Sequence, residues 1–385
     1  MSTIKDKQIA IIGGGPGGLT LARLLQLQQA KVTVYERDAH RDARPKGATL
    51  DLHEESGLRA IQEAGLMEAF TANYRPGADR MRITDQHGTL LLDEQGGTEG
   101  AHFRPEIDRG PLQNILLESL LPDTVLWDHH LAEMKASGNG WALQFRNGRN
   151  TYADIVIAAD GAHSRLRPYV TPIKAVYSGV TIVEGGVYDS ANTLPELHRL
   201  LNGGKVFALG GERSLILSAK GDGSLVFYTG CNMPADWSLT CGIDFSDKQQ
   251  VTDWFKTTFS GWNPMWEALF EHAAYLVPRP QYYMPLDQNW AALPNLTLLG
   301  DAAHLMPPYA GEGVNMAMLD AVELSQCLCS DAYADSHAAI AAYEQRMRQR
   351  ASETTAATMA ATQALHSPQA TSFMLHLMSG QEEIL

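Results

Sequence analysis

At 385 residues the chain exceeds what one hydrophobic core usually holds, so two domains are expected. With 44% hydrophobic and 19% charged residues it reads as globular rather than disordered. A net charge of −14 argues against binding nucleic-acid phosphates or anionic membranes, and neither partner is expected.

Residues 7–12 (KQIAII) form a short β-branched apolar run bounded by glycines, the pattern of a buried parallel strand. Leu19 to Gln29 carries Leu, Ala and Arg at helical spacing, and 31–35 (KVTVY) reads as a second strand. This is a βαβ unit, and its turn holds Gly13-x-Gly15-x-x-Gly18. The first glycine permits the tight turn, the second lets a pyrophosphate approach, and the third lets helix and strand pack closely. Glu36 follows about 20 residues on, where a carboxylate accepts ribose hydroxyls and disfavours a 2′-phosphate. Arg37 beside it can cover an adenine or a phosphate. The same opening stretch is apolar enough to mimic a secretory leader. Its run of Gly-Gly-Gly-Pro and its lack of a cleavage site argue against one, and a cytoplasmic location is expected. No apolar run reaches the ~18 residues of a membrane span.

Residues 108–121 read as an amphipathic helix. Short strands are expected at 124–128, 141–145 and 154–159, the last apolar throughout and ending in Asp160-Gly161, with Arg165 and Arg167 just beyond. From 173 to about 282 the alternating pattern and frequent turns predict an antiparallel sheet inserted into the first domain. Residues 295–299 (NLTLL) return to the parallel style and deliver Asp301 to a strand's carboxyl end, where such sheets bind ligands. A side chain there can accept hydrogen bonds from a polyol. NAD has none, whereas FAD has its ribityl chain. Pro308 then supplies a stiff wall, and Gly311 and Gly313 let backbone N–H groups approach a ring edge. The helix expected from Val314 would stabilise negative charge on a reduced flavin. From 334 a long helix runs to about Ala364, ended by His366-Ser-Pro. The four cysteines, Cys231, Cys241, Cys327 and Cys329, make no C-x-x-C pair, so idle thiols are expected and no metal site.

The three motifs, in this order in one chain, resemble the flavin-dependent aromatic hydroxylases, single-component FAD monooxygenases, over residues 5–360. The resemblance implies an α/β fold: a Rossmann-like FAD-binding domain (1–76, 100–172 and 283–330), an inserted antiparallel-sheet substrate domain (77–99 and 173–282), and a C-terminal bridging helix (331–385). It assigns Asp301 to the ribityl, Glu36 to the adenosine ribose, Arg109 to the flavin, and Asp160 with Arg167 to FAD and an incoming NADH or NADPH. The stretches VTVYERD, GATLDLHEESG and GDAAHLMPPYAGEGVN are most similar to the tetracycline-inactivating monooxygenases. Aligned with those enzymes, Glu184, Lys205 and Val226 stand where they place Gln, Arg and His against the drug.

The implied chemistry is reduction of FAD by NAD(P)H, reaction with O₂ to a flavin hydroperoxide, and oxygen transfer to an aromatic or polyketide-like substrate, with tetracycline as a candidate. No side chain need be the nucleophile, because the cofactor carries the chemistry. Pro308, Gly311 and Gly313 are expected at the ring with Asp51 and Arg109 nearby, and Phe207, Val226 and Tyr228 are expected to line the pocket. A monomer is expected. The alternatives are an FAD-dependent dehydrogenase or reductase without oxygen insertion, a flavin-binding sensor, and an NAD enzyme. A disulfide reductase would need a C-x4-C pair. A flavin halogenase would need a W-x-W-x-I-P signature, and Trp262 and Trp266 are wrongly spaced and read as packing aromatics.

Overall fold

The computed structural model describes residues 4–43, 47, 49–96 and 104–379. The expected boundary at 99/100, the chain ends, and Ala48 of the GATLDLHEESG stretch lie outside the described residues.

β1 (Gln8–Ile12) and β2 (Lys31–Tyr35) pair in parallel and are joined by the Pro16–Leu27 helix. With β7 (Val125–Leu126), β11 (Ile155–Ala158) and β17 (Leu296–Leu298) they make a parallel sheet of order β17-β11-β1-β2-β7. Its strands are apolar along their length because both faces are covered: Ile11, Ile155, Ile157 and Leu298 are buried, as are Leu19, Leu21 and Leu25 of the adjoining helix. The expected 124–128 strand is shorter, and the expected helix at 108–121 is Arg109–Glu118. β8 (Leu131–Ser137), β9 (Gly140–Phe145) and β10 (Asn150–Ala153) form a separate antiparallel meander.

A mixed sheet takes β16 (Tyr275–Tyr283), β12 (Val176–Val187), β15 (Leu225–Asn232), β14 (Arg213–Ala219), β13 (Lys205–Gly210), β4 (Met81–Asp85) and β5 (Leu90–Glu94), in that order. Its pairs are antiparallel except β13 with β4. One face buries Val183, Leu215, Leu217 and Phe227 against Phe255 and Phe270. Those two aromatics lie on the Lys248–Thr258 and Ala268–Glu271 helices, so the sheet does not run unbroken to 282. The helix signal was present: Asp247 accepts from the backbone N–H groups of Gln249 and Gln250, and Val251, Trp254 and Phe255 follow at spacings of three and four. Trp262 and Trp266 pack in the same cluster, as the spacing argued.

β3 (Thr49–Asp51) pairs with β6 (Glu106–Asp108), setting Asp51 opposite Glu106. The Ser336–Leu365 helix starts at an Asp335 cap. Near its start the Tyr343 hydroxyl donates to the Leu298 carbonyl and Glu344 accepts from Thr297, both on β17. At its far end His366 reaches the mixed sheet. A further helix, Ala370–Ser379, packs Met374 in a cluster with Ile83 and Leu209 and was not anticipated. Among the described residues no helix is long and apolar enough to cross a membrane.

Candidate active site

The three fingerprint glycines have different structural reasons. A Cβ on Gly13 would fall less than 3.0 Å from the Ala159 carbonyl, and φ is +115° there. A Cβ on Gly18 would meet the Gly13 carbonyl equally closely. A Cβ on Gly15 would meet no protein atom within 4 Å, at an ordinary extended backbone conformation. Gly13 and Gly18 therefore serve the fold. Gly15 keeps open the space before the first turn of the Pro16–Leu27 helix, whose N–H groups suit an anion.

That space adjoins a cavity of about 200 Å³ lined by Gly13, Gly15, Glu36, Arg37, Asp160 and Arg165, with His129, His130 and His163. Glu36 is fixed at the end of β2 by the N–H groups of Gly14, at 2.6 Å, and Asp38, at 3.0 Å. Asp160 accepts the Arg165 N–H on Oδ2, while its buried Oδ1 has no partner, and burial pushes its pKa up. Burial, backed by the charges of Arg146, Arg165 and Arg37, pushes the His130 imidazole down, so it is neutral at pH 7. The cavity thus combines carboxylates at the strand ends with a cationic rim.

At the carboxyl end of the neighbouring strand β17, Asp301 follows Gly300, which has φ +61°. Its carboxylate accepts no hydrogen bond among the described residues. Burial raises its pKa against the opposing charges of His304 and Arg109. Arg109 is also the nearest group to Gly47. Gly313, in the first turn of the Glu312–Cys329 helix, lies beside Asp301, and Gly311 (φ +72°) lies beside the Asp51 carboxylate. Burial favours the neutral Asp51 carboxyl, but the His53 hydrogen bond and the Lys205 charge outweigh it and hold the pKa at about 2. Buried Asn315 clips this turn together, donating to the carbonyls of Asp51 and Gly311 and accepting from the N–H groups of His53 and Gly57. Asp51, Arg109, Gly311 and Gly313, expected at the ring, and Asp301, expected at the ribityl, are therefore neighbours. Pro308 is exposed at the same loop.

The loop lies over the inner face of the mixed sheet, the face away from Phe255 and Phe270. Strand register arranges that face in rows. One row reads Val277, Glu184, Tyr228, Ile216, Phe207, Ile83. The next reads Tyr275, Gly186, Val226, Ser218, Lys205, Met81. All five sheet residues singled out in the sequence thus share one face, as a period of two requires. Two of them are already engaged: Lys205 pairs with Glu106, and Glu184 pairs with Arg279. Val226 is buried, at 1% exposure.

On the third row Tyr309 docks over Gly230. The His366 Nδ1–H donates to the Thr362 carbonyl at 2.7 Å, which leaves Nε2 to accept from the hydroxyls of Ser214, at 3.0 Å, and Tyr309, at 3.3 Å. Burial pushes the His366 pKa down and keeps it neutral. A Cβ on Gly230 would fall less than 3.0 Å from all three polar groups. Gly230→Ala is therefore expected to cost about 1–3 kcal/mol, read as a lower urea midpoint.

Arg167 departs from its expected role. Its guanidinium is buried and donates to the carbonyls of Ile173, Ala302 and Ala303 and to Gln288 Oε1, so four of its five N–H groups are spent bracing the turn that bears Asp301. Sequence reasoning also passed over His53, His130, Tyr309 and His366. His53 and Tyr309 sat inside the quoted motifs. His130 and His366 carry no local signal, because their partners are distant in sequence.

A family model described as an FAD binding domain matches residues 6–209 and 293–358. Monooxygenase asqM of Emericella nidulans is 30% identical over 375 residues, covering 83% of this chain and 83% of its own. The FAD-dependent urate hydroxylase of Mycolicibacterium vanbaalenii is 28% identical over 363 residues, covering 90% and 85%. The crystal structure of tetracycline destructase Tet(55) shares the fold, with a TM-score of 0.77, 19% identity and coverage of 97% and 95%.

Proposed function

Since the chain belongs to the FAD binding domain family and is an FAD-dependent monooxygenase, we propose that it hydroxylates a small aromatic or polyketide-like molecule, with NAD(P)H as reductant and O₂ as co-substrate. One observation carries the reading: the open Gly15 turn, the unpartnered Asp160 oxygen and the unbonded Asp301 carboxylate lie at the carboxyl ends of one parallel sheet, with a sheet face opposite the Pro308–Gly311 loop. These residues fit a dinucleotide with a polyol arm. Bound FAD supplies the electron transfer and oxygen activation.

The chain does the rest. The Gly15 turn and helix N-terminus hold the pyrophosphate, Glu36 accepts from the adenosine ribose, and Asp301 accepts from the ribityl. Arg109 and the Gly311–Gly313 backbone meet the ring, with Asp51 beside them. Phe207, Ile216 and Val226 keep water from the reacting face. Tyr228 and the Glu184–Arg279 pair orient the substrate. Arg37 and Arg165 form the cationic rim that a visiting nicotinamide cofactor would meet, with neutral His130 between them.

Support for an oxygenated product comes from the relatives, whose names describe a monooxygenase and a urate hydroxylase. Tetracycline enters through the similarity of the quoted motifs. Its expected contacts are altered, because Glu184 and Lys205 are held in ion pairs. The test is mass spectrometry of tetracycline, urate and 6-hydroxynicotinate, each incubated with the FAD-loaded protein, NAD(P)H and air. The expected result is one product heavier by one oxygen atom, formed only with NAD(P)H. Turnover with loss of two hydrogens and no added oxygen would move the assignment to a dehydrogenase.

A further inference from the structure

We infer that Arg279 forms an anion subsite at the edge of the substrate face and takes the carboxylate of an aromatic acid; this rests on the monooxygenase reading above. Arg279 lies on the edge strand β16, and its register partner is Ile182 on β12, which pairs in turn with Gly230 on β15. Arg279 therefore shares the row over which Tyr309 docks, two strands or about 10 Å from it at the usual strand spacing. Its side chain points to the same face as Glu184 and Tyr228, because residues 275, 277 and 279 alternate with the core-facing Leu276.

The guanidinium is only partly used. Glu184, 7% exposed, takes its Nε–H, and the Tyr275 hydroxyl supports the same carboxylate at 3.4 Å. Nη1 and Nη2 have no hydrogen-bond partner among the described residues, and the side chain is 53% exposed. One edge of the fork is thus anchored and the other is presented to solvent. A planar carboxylate matches that free edge with two parallel hydrogen bonds. The anchor removes much of the rotamer freedom such a contact would otherwise cost. Lys205, the other cation of this face, is committed to Glu106 and Asp51. The ligand class is therefore an aromatic ring that reaches the Pro308–Gly311 loop and carries its acid group toward β16.

The experiment uses FAD-loaded protein and two matched probe pairs, 4-hydroxybenzoate with 4-hydroxybenzamide and 6-hydroxynicotinate with 6-hydroxynicotinamide. Dissociation constants are read from the perturbed flavin absorbance. The acid of at least one pair is expected to bind about tenfold or more tighter than its amide. R279Q is expected to bring that ratio close to one, and E184Q, which removes the competing carboxylate, is expected to widen it. Equal binding of acid and amide, no binding of either acid, or a ratio that survives in R279Q would overturn the subsite. Failure of the underlying reading shows separately, as a protein that retains no FAD or consumes no NAD(P)H with any substrate.

Discussion

Asp320→Asn is expected to remove about 3–5 kcal/mol of stability, because it breaks a buried ion network on one side only. Asp320 is fully buried on the Glu312–Cys329 helix. Its Oδ2 accepts from the Gly300 N–H at 2.9 Å and His304 Nε2 at 2.6 Å, and its Oδ1 accepts from Arg350 at 2.6 Å. One carboxylate thus joins the strand end that presents Asp301, the helix that follows the Pro308–Gly311 loop, and the long C-terminal helix. Asparagine keeps the shape but leaves two cations facing a neutral amide. Arg350 still has Glu323, at 2.7 Å; His304 has no second partner, since its Nδ1 is already unbonded among the described residues.

The same network sets a pH dependence. Burial lowers the His304 pKa, but the Asp320 carboxylate, helped by Asp301 and opposed by Arg350, raises it overall. Its contribution is complete below the unfolded histidine pKa of about 6.5 and is lost as pH rises through the raised folded value. Burial acts against the Asp320 charge, yet His304, Arg350 and the Gly300 N–H lower its pKa. That contribution is present above about 3.9 and is lost as pH falls through the depressed folded value. The network therefore stabilises most between about pH 4 and 6.5. Urea unfolding of wild type and Asp320→Asn at about pH 6 and pH 9 should show a gap that narrows at the higher pH. A gap independent of pH would mean that the pair is not ionised.

Gly15→Val is expected to leave a folded protein that does not retain FAD. The valine side chain meets no protein atom near its Cβ and needs no unusual backbone angle, so the fold has no reason to object. It fills the space from which helix N–H groups would bond a pyrophosphate. Losing one or two charge-assisted hydrogen bonds of about 1.5–3 kcal/mol each lowers affinity by about tenfold to more than ten-thousandfold. Gly18→Val is the contrasting variant: its side chain would be driven into the Gly13 carbonyl and Ala159, so helix and strand cannot close and the protein should not accumulate folded. The readouts are flavin absorbance of the purified protein and its circular dichroism. A Gly15→Val protein that keeps its flavin would place the pyrophosphate elsewhere.

The parallel sheet was legible in the sequence because its signals are local. Short buried strands end in Gly, Asp-Gly or Gly-Asp, and the structure seats Glu36, Asp160 and Asp301 at those ends. The shared face of Glu184, Lys205, Phe207, Val226 and Tyr228 followed from alternation. What alternation could not reveal was pairing across distance. Arg279 lies 95 positions from Glu184, and His366 lies 152 from Ser214. Arg167 misled for the same reason: a cation next to a ligand motif resembles a ligand contact until its carbonyl partners, 135 and 136 residues away, are in view. The helices over 248–271 were hidden by their aromatic content, which is as common in strands as in packed helices.

The mixed sheet has one further consequence, for how such a protein can diversify. Its outer residues, Val183, Leu215, Leu217 and Phe227 among them, are locked into an aromatic core, while the alternate positions face the loop. Backbone pairing holds both sets in register whatever the inner side chains are. Substitutions at Glu184, Tyr228, Phe207 or Arg279 can therefore change the chemistry of that face while the scaffold keeps its packing. Selection can explore the inner lattice one position at a time, with the strand ends of the parallel sheet left untouched.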